Sequence, residues 1–128
     1  MGIKEQLRVL VVDDMSVGRG LIIQSLEEIG ITKIAHEANG KDALQSMSSK
    51  PVHLVISDYN MPEMDGLTLL SEMGKYGITK KTGFILITGT ASKDVIDKGK
   101  QLGMNNFLRK PFSTAQMKSC ISKVFGNL

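Results

Sequence analysis

The stretch VISDYNMPEMDG, running from Val55 to Gly66, decides how the rest of the chain is read. A short apolar, β-rich run is brought up against Asp58, a residue that strands disfavour. A loop follows that carries Asn60, Pro62, Glu63 and Asp65. Two readings are open at this point: Asp58 caps a turn, or it stands at a strand mouth to do chemistry. The remaining sequence has to choose between them.

The same apolar character recurs at intervals. Leu7–Val12, Lys33–Glu37, Val52–Ser57, Gly83–Thr88 and Asn106–Arg109 read as five strands. Leu7–Val12, Val52–Ser57 and Gly83–Thr88 are nearly continuous in apolar residues, as central parallel strands covered on both faces require. Segments with helical spacing lie between them: Leu21, Ile22, Leu26 and Ile29 before Gly30; Ala43, Leu44 and Met47 after Gly40; Leu67, Leu69, Leu70 and Met73 before Gly74. Val95, Ile96 and Leu102 run up to Gly103, a C-terminal cap, and Ser113 or Thr114 caps a last helix carrying Met117, Cys120, Ile121, Val124 and Phe125. Strand–helix alternation of this kind implies right-handed crossovers and a parallel sheet with helices on both faces, an α/β doubly wound fold. A single domain over residues 1–128 is expected, without linker or internal repeat.

Composition narrows the class. At 41% hydrophobic and 23% charged residues, the chain describes a globular protein rather than a disordered one. No apolar run approaches the roughly 20 residues that cross a bilayer, and the start, MGIKEQ, lacks a signal-peptide core. The one cysteine, Cys120, points to a reducing, cytoplasmic setting. The net charge of +3 is unevenly spread: residues 1–74 hold 6 Lys/Arg against 11 Asp/Glu (6 − 11 = −5), residues 75–128 hold 10 against 2 (10 − 2 = +8). Such asymmetry favours different partners for the two halves. No nucleic-acid reading motif accompanies the lysines, and a nucleic-acid or membrane partner is not expected.

In an open α/β sheet, ligands bind beyond the carboxyl ends of the strands. The first strand ends on Asp13 and Asp14, the third on Asp58, the fourth on Thr88, and the fifth on Lys110 and Pro111. Each alone reads as a turn or cap residue; together they share one rim. Packed carboxylates repel, so they retain protons or take up a cation. An all-oxygen set with room for water suits Mg²⁺. A carboxylate beside Mg²⁺ and a lysine is a competent nucleophile toward a phosphoryl group, a transfer that depends on positioning and charge neutralisation. His36 and His53 belong to no zinc pattern and read as strand or strand-edge residues.

VLVVDD, SDYNMPEMDG, the threonine after FILI, and KPF together resemble the receiver domain of two-component response regulators, over essentially the whole chain. With nothing after the fifth helix, the chain is most similar to the single-domain chemotaxis members of that family. The resemblance implies a flavodoxin-like receiver fold: five strands in the order 2-1-3-4-5 and five helices. It implies Asp58 as phosphoacceptor from a histidine kinase. Asp14, Asp58 and the backbone carbonyl of Asn60 then bind Mg²⁺, with Asp13 acting mostly through water. Thr88 and Lys110 bind the phosphoryl group, and the bond matching Lys110–Pro111 is often cis in that family.

The resemblance also marks Phe107 as a switch aromatic, where the chemotaxis proteins usually carry tyrosine; the plainer reading is a packing residue on an edge strand. Asn60 and Thr90 occupy the positions that set phosphoryl lifetime. The target surface is the fourth helix, fifth strand and fifth helix, in the basic half. Lys93, Lys98, Lys118 and Phe107 there suggest an acidic, amphipathic partner such as a flagellar switch protein. A monomer is expected, with no enzymatic turnover beyond its own phosphorylation and dephosphorylation. A phosphate sink that drains the kinase is the alternative, and a Mg²⁺-dependent phosphohydrolase a more distant one. Gly18 and Gly20 in VGRGLII stand apart: each weakens a helix by roughly 0.8–1 kcal/mol relative to alanine, and they read either as weak spots or as room for a partner helix. Glu63 and Asp65 read as loop and helix-start residues.

Overall fold

An apolar strand flanked by two amphipathic helices buries both its faces only if the helices fall on opposite sides, and this is what the computed structural model contains. It describes residues 2–78, 81–90 and 92–128. The strands are β1 (Arg8–Val12), β2 (Lys33–Glu37), β3 (Leu54–Asp58), β4 (Gly83–Thr88) and β5 (Asn106–Arg109). They form one parallel sheet in the order β2-β1-β3-β4-β5. The helices are α1 (Ile3–Gln6), α2 (Ser16–Ile29), α3 (Gly40–Ser49), α4 (Gly66–Lys75), α5 (Lys93–Leu102) and α6 (Thr114–Phe125).

Side chains alternate across the sheet and feed two cores. On one face Val9, Val11, Ile56, Ile85 and Ile87 meet Ile22, Leu26 and Ile29 of α2 and Met117, Cys120 and Ile121 of α6. On the other, Leu10, Val12, Val55, Phe84 and Leu86 meet Ala43 and Met47 of α3 and Leu67, Leu69, Leu70 and Met73 of α4. Gly30 and Gly103 end α2 and α5 at φ 107° and 99°, the left-handed conformation that glycine adopts without strain. The Asp65 carboxylate accepts from the Thr68 amide at 2.8 Å to start α4. Ser113 and Gln116 form a reciprocal capping box at α6. Among the described residues, no helix is long and apolar enough to cross a membrane.

The structure differs from the sequence reading in three places. Among the described residues there are six helices rather than five, the extra one being the single turn α1, whose four residues are too few to show a period. The first strand opens at Arg8 rather than Leu7. The third opens at Leu54 rather than Val52 and runs through Asp58 itself, because Asp58 continues the β3–β4 register opposite Ile87. The helical spacing of Leu21, Ile22, Leu26 and Ile29 is realised in α2, where Ile22, Leu26 and Ile29 are buried and Leu21 is 55% exposed.

Candidate functional site

The register of the sheet delivers polar groups to one edge. Asp13 and Asp14 follow β1, Asp58 closes β3, Thr88 closes β4, and Lys110 follows β5. The Asp13 amide donates to the Glu37 carbonyl at 3.2 Å, and the Lys110 amide to the Thr88 carbonyl at 2.9 Å. The rim residues are therefore held by backbone bonds between neighbouring strands, so their spacing is a property of the sheet rather than of loop conformation.

One oxygen from each of Asp13, Asp14 and Asp58 lies within 4.8 Å of the others. Asp13 and Asp58 are buried and Asp14 half-buried. Asp58 Oδ1 is paired with Lys110 Nζ at 2.6 Å, the lysine reaching in from a partly exposed position. Asp13 Oδ1 accepts from the Met15 amide at 3.0 Å, whereas Asp13 Oδ2 and Asp14 Oδ1 are buried without a hydrogen-bond partner among the described residues. Buried, unpartnered carboxylate oxygens are unfavourable unless something positive meets them. Burial, the largest influence, raises the Asp13 pKa above the usual carboxylate value; the neighbouring charges of Asp58 and Asp14 add to it, and the Met15 amide and Lys110 oppose it. A hard cation with oxygen ligands resolves both difficulties, and the all-carboxylate set with two free inward oxygens fits Mg²⁺.

Thr88 is buried, and its hydroxyl is engaged locally: it donates to the Thr90 carbonyl at 2.8 Å and accepts from the Thr90 amide at 3.1 Å. Thr90 and Asn60 are exposed, each two residues beyond its strand end. Phe107 is half-buried on β5, opposite Leu86, and packs on the α3/α4 core. Its carbonyl accepts from Cys120 Sγ at 3.6 Å; Cys120 is buried, its thiol pushed up to about 11 chiefly by desolvation. The Lys110–Pro111 bond is cis. Lys93 and Lys98 on α5 and Lys118 on α6 are exposed and lie on their helices, apart from the acid cluster. Glu63 takes up the left-handed conformation at φ 67°. His53 Nδ1 accepts from the Arg8 amide at 2.9 Å, a purely structural use at the opposite edge of the sheet.

Two residues escaped the sequence reading, and a third, Gly18, stood out there without its contact. The Arg19 guanidinium donates to the Asp13 carbonyl at 2.8 Å and so ties α2 to the end of β1. A Cβ on Gly66 would stand 2.6 Å from both the Asp58 carbonyl and Leu86 Cδ1, so only glycine lets α4 start this close beneath the site. Gly18 lies directly against the Asp13 carboxylate. A glycine at a helix start was the visible signal for Gly66; nothing local signalled the reach of Arg19.

Known proteins match this chain over most of its length. The model for the response regulator receiver domain family matches residues 9–122. A probable chemotaxis protein CheY of Rhizobium etli is 40% identical over 128 residues, which is 100% of this chain and 99% of that protein. The chemotaxis protein CheY of Pseudomonas aeruginosa is 32% identical over 119 residues, covering 93% of this chain and 96% of the relative. Among solved structures, chemotaxis protein CheY4 of Vibrio cholerae superposes with a TM-score of 0.85 at 27% identity, over 92% of this chain and 98% of that one.

Proposed function

Because this chain belongs to the response regulator receiver domain family, we propose that residues 1–128 form one aspartate-phosphorylated switch of a chemotaxis phosphorelay. The observation that carries the reading is the Lys110 Nζ–Asp58 Oδ1 pair at 2.6 Å, set beside two buried and unpartnered carboxylate oxygens. The names of the relatives, which are chemotaxis proteins, support the pathway.

Asp58 acts as the nucleophile. One of its carboxylate oxygens forms a bond to phosphorus as the bond from phosphorus to the nitrogen of a kinase phosphohistidine breaks, and the imidazole leaves with its electron pair. Asp13, Asp14, Asp58 and the backbone carbonyl of Asn60 would hold Mg²⁺, Asp13 chiefly through water. When bound, the ion neutralises the phosphoryl oxygens against the acid cluster. Lys110, already at Asp58, moves its ammonium onto a phosphoryl oxygen and keeps the charge compensated. Thr88 surrenders its bond to the Thr90 carbonyl and donates to the phosphoryl group. That vacates space toward β5, into which the half-buried Phe107 ring turns. Asn60 and Thr90 flank the approach of the hydrolytic water and set the lifetime. The altered α5–β5–α6 face, with Lys93, Lys98 and Lys118, then binds an acidic amphipathic element, for which a flagellar switch protein is the model partner. The chain turns over nothing else.

Acetyl phosphate with Mg²⁺ tests this directly. Wild type takes up label that EDTA prevents, and Asp58→Asn takes up none. Label persisting on Asp58→Asn sinks the assignment. A phosphoryl lifetime of seconds, with no phosphorylation-dependent binding to an acidic switch peptide, would make the protein a phosphate sink instead.

A further inference from the structure

VGRGLII holds two glycines that the structure separates sharply. A Cβ on Gly18, in the first turn of α2, would overlap Asp13 Oδ2 and come within 3.2 Å of Asp13 Cγ. That Oδ2 is one of the two buried side-chain oxygens with no hydrogen-bond partner among the described residues. A Cβ on Gly20, two residues along the same helix, meets nothing within 4 Å among the described residues. Asp13 has little freedom to give way: its Oδ1 is tied to the Met15 amide at 3.0 Å and its carbonyl to Arg19 at 2.8 Å. With the backbone held, a methyl at position 18 forces the carboxylate to rotate. Rotation breaks the Met15 bond or drives the charge toward Asp14 and Asp58.

We propose that Gly18 is a positioning residue: the volume it leaves empty seats the Asp13 carboxylate and thereby sets the affinity of the acid cluster for Mg²⁺. The inference rests on the metal reading given above. Groups that orient ligands in this way typically change metal affinity by about 10- to 100-fold when altered.

Calorimetric titration of the EDTA-stripped full chain with Mg²⁺ provides the test. Both Gly18→Ala and Gly20→Ala improve helix propensity, so stability gained by the helix is common to the two. Wild type and Gly20→Ala bind alike, and Gly18→Ala binds about 10-fold more weakly. In an Asp13→Ala background, Gly18→Ala has no further effect, because the carboxylate it displaces is gone. Wild-type affinity in Gly18→Ala overturns the role of Gly18 and leaves the metal reading standing. Further weakening on top of Asp13→Ala also overturns it, since the damage then lies in the helix. Should Gly18→Ala alone not fold, rescue of folding by Asp13→Ala supports the overlap and failure of rescue refutes it. No saturable binding by wild type removes the metal reading and this inference together.

Discussion

Helices α4 and α5 are both ten residues long and pack on the same face of the sheet, yet they are held very differently. In GLTLLSEMGK five residues are buried, and the first of them abuts the Asp58 carbonyl. In KDVIDKGKQL only Gly99 is buried, with Val95, Ile96 and Leu102 half-covered. The same division runs through the strands: β3 is buried at every position and β5 at none. Asp58 is thus built on a fully buried strand, whereas α5 and β5 of the basic face are sparsely buried. Elements with few buried apolar contacts are the ones that move at low free energy. A switch needs this division, because the reacting atoms must stay fixed while the readout surface shifts.

The sharpest way to break the comparison is by truncation in the two helices. Leu70→Ala in α4 removes a fully buried side chain and costs about 2–5 kcal/mol. Ile96→Ala in α5, half-covered, should cost about 1 kcal/mol. Urea unfolding measures both, and equal losses would abolish the contrast.

Smaller, and confined to the acid cluster, is the response of Asp13 to pH. Its pKa is raised in the folded protein, so the folded state holds the proton more tightly than the unfolded chain. The stability this gives is fully present below the unfolded value of about 3.9 and is lost as pH rises through the folded one. In EDTA, Asp13→Asn should therefore match wild type at low pH and exceed it at neutral pH. The expected gain in Tm is roughly 4 °C, the scale of about 1 kcal/mol in a domain of this size. Thermal unfolding across pH checks it, and a wild type that outlasts the variant at neutral pH reverses the argument.

Smallest are single charge reversals on the basic face. Lys93→Glu, Lys98→Glu and Lys118→Glu, at exposed positions, should each weaken binding of the phosphorylated protein to an acidic amphipathic peptide by about threefold. Each should also flatten its salt dependence. Unchanged affinity across all three places the target elsewhere.

The sequence carried the sheet because its physics is local and periodic: unbroken apolar runs announce buried parallel strands, and a carboxylate where such a run stops is conspicuous. The site was legible for the same reason, since topology alone brings the ends of β1, β3, β4 and β5 to one rim. What stayed hidden depends on three-dimensional reach. Arg19 bonding the Asp13 carbonyl and Gly18 cradling its carboxylate are contacts across five or six residues of chain that no periodicity encodes. Leu21 shares the helical spacing of α2 but adjoins its buried stripe without belonging to it, a burial difference that spacing alone does not show. The direction of the Thr88 hydroxyl is a torsional choice that side-chain identity leaves open.

That torsional choice has a consequence of its own. The Thr88 hydroxyl carries one proton and, in this structure, gives it to Thr90. It can address the carbonyl or a phosphoryl oxygen, never both, so the two states exclude one another at a single atom. A neutral hydrogen bond contributes about 1 kcal/mol net, enough to favour the resting orientation only severalfold. A charged acceptor offers roughly twice that strength. On the proposed phosphoryl switch, Thr88 would therefore be a lightly biased latch, its answer to phosphorylation graded in populations rather than absolute.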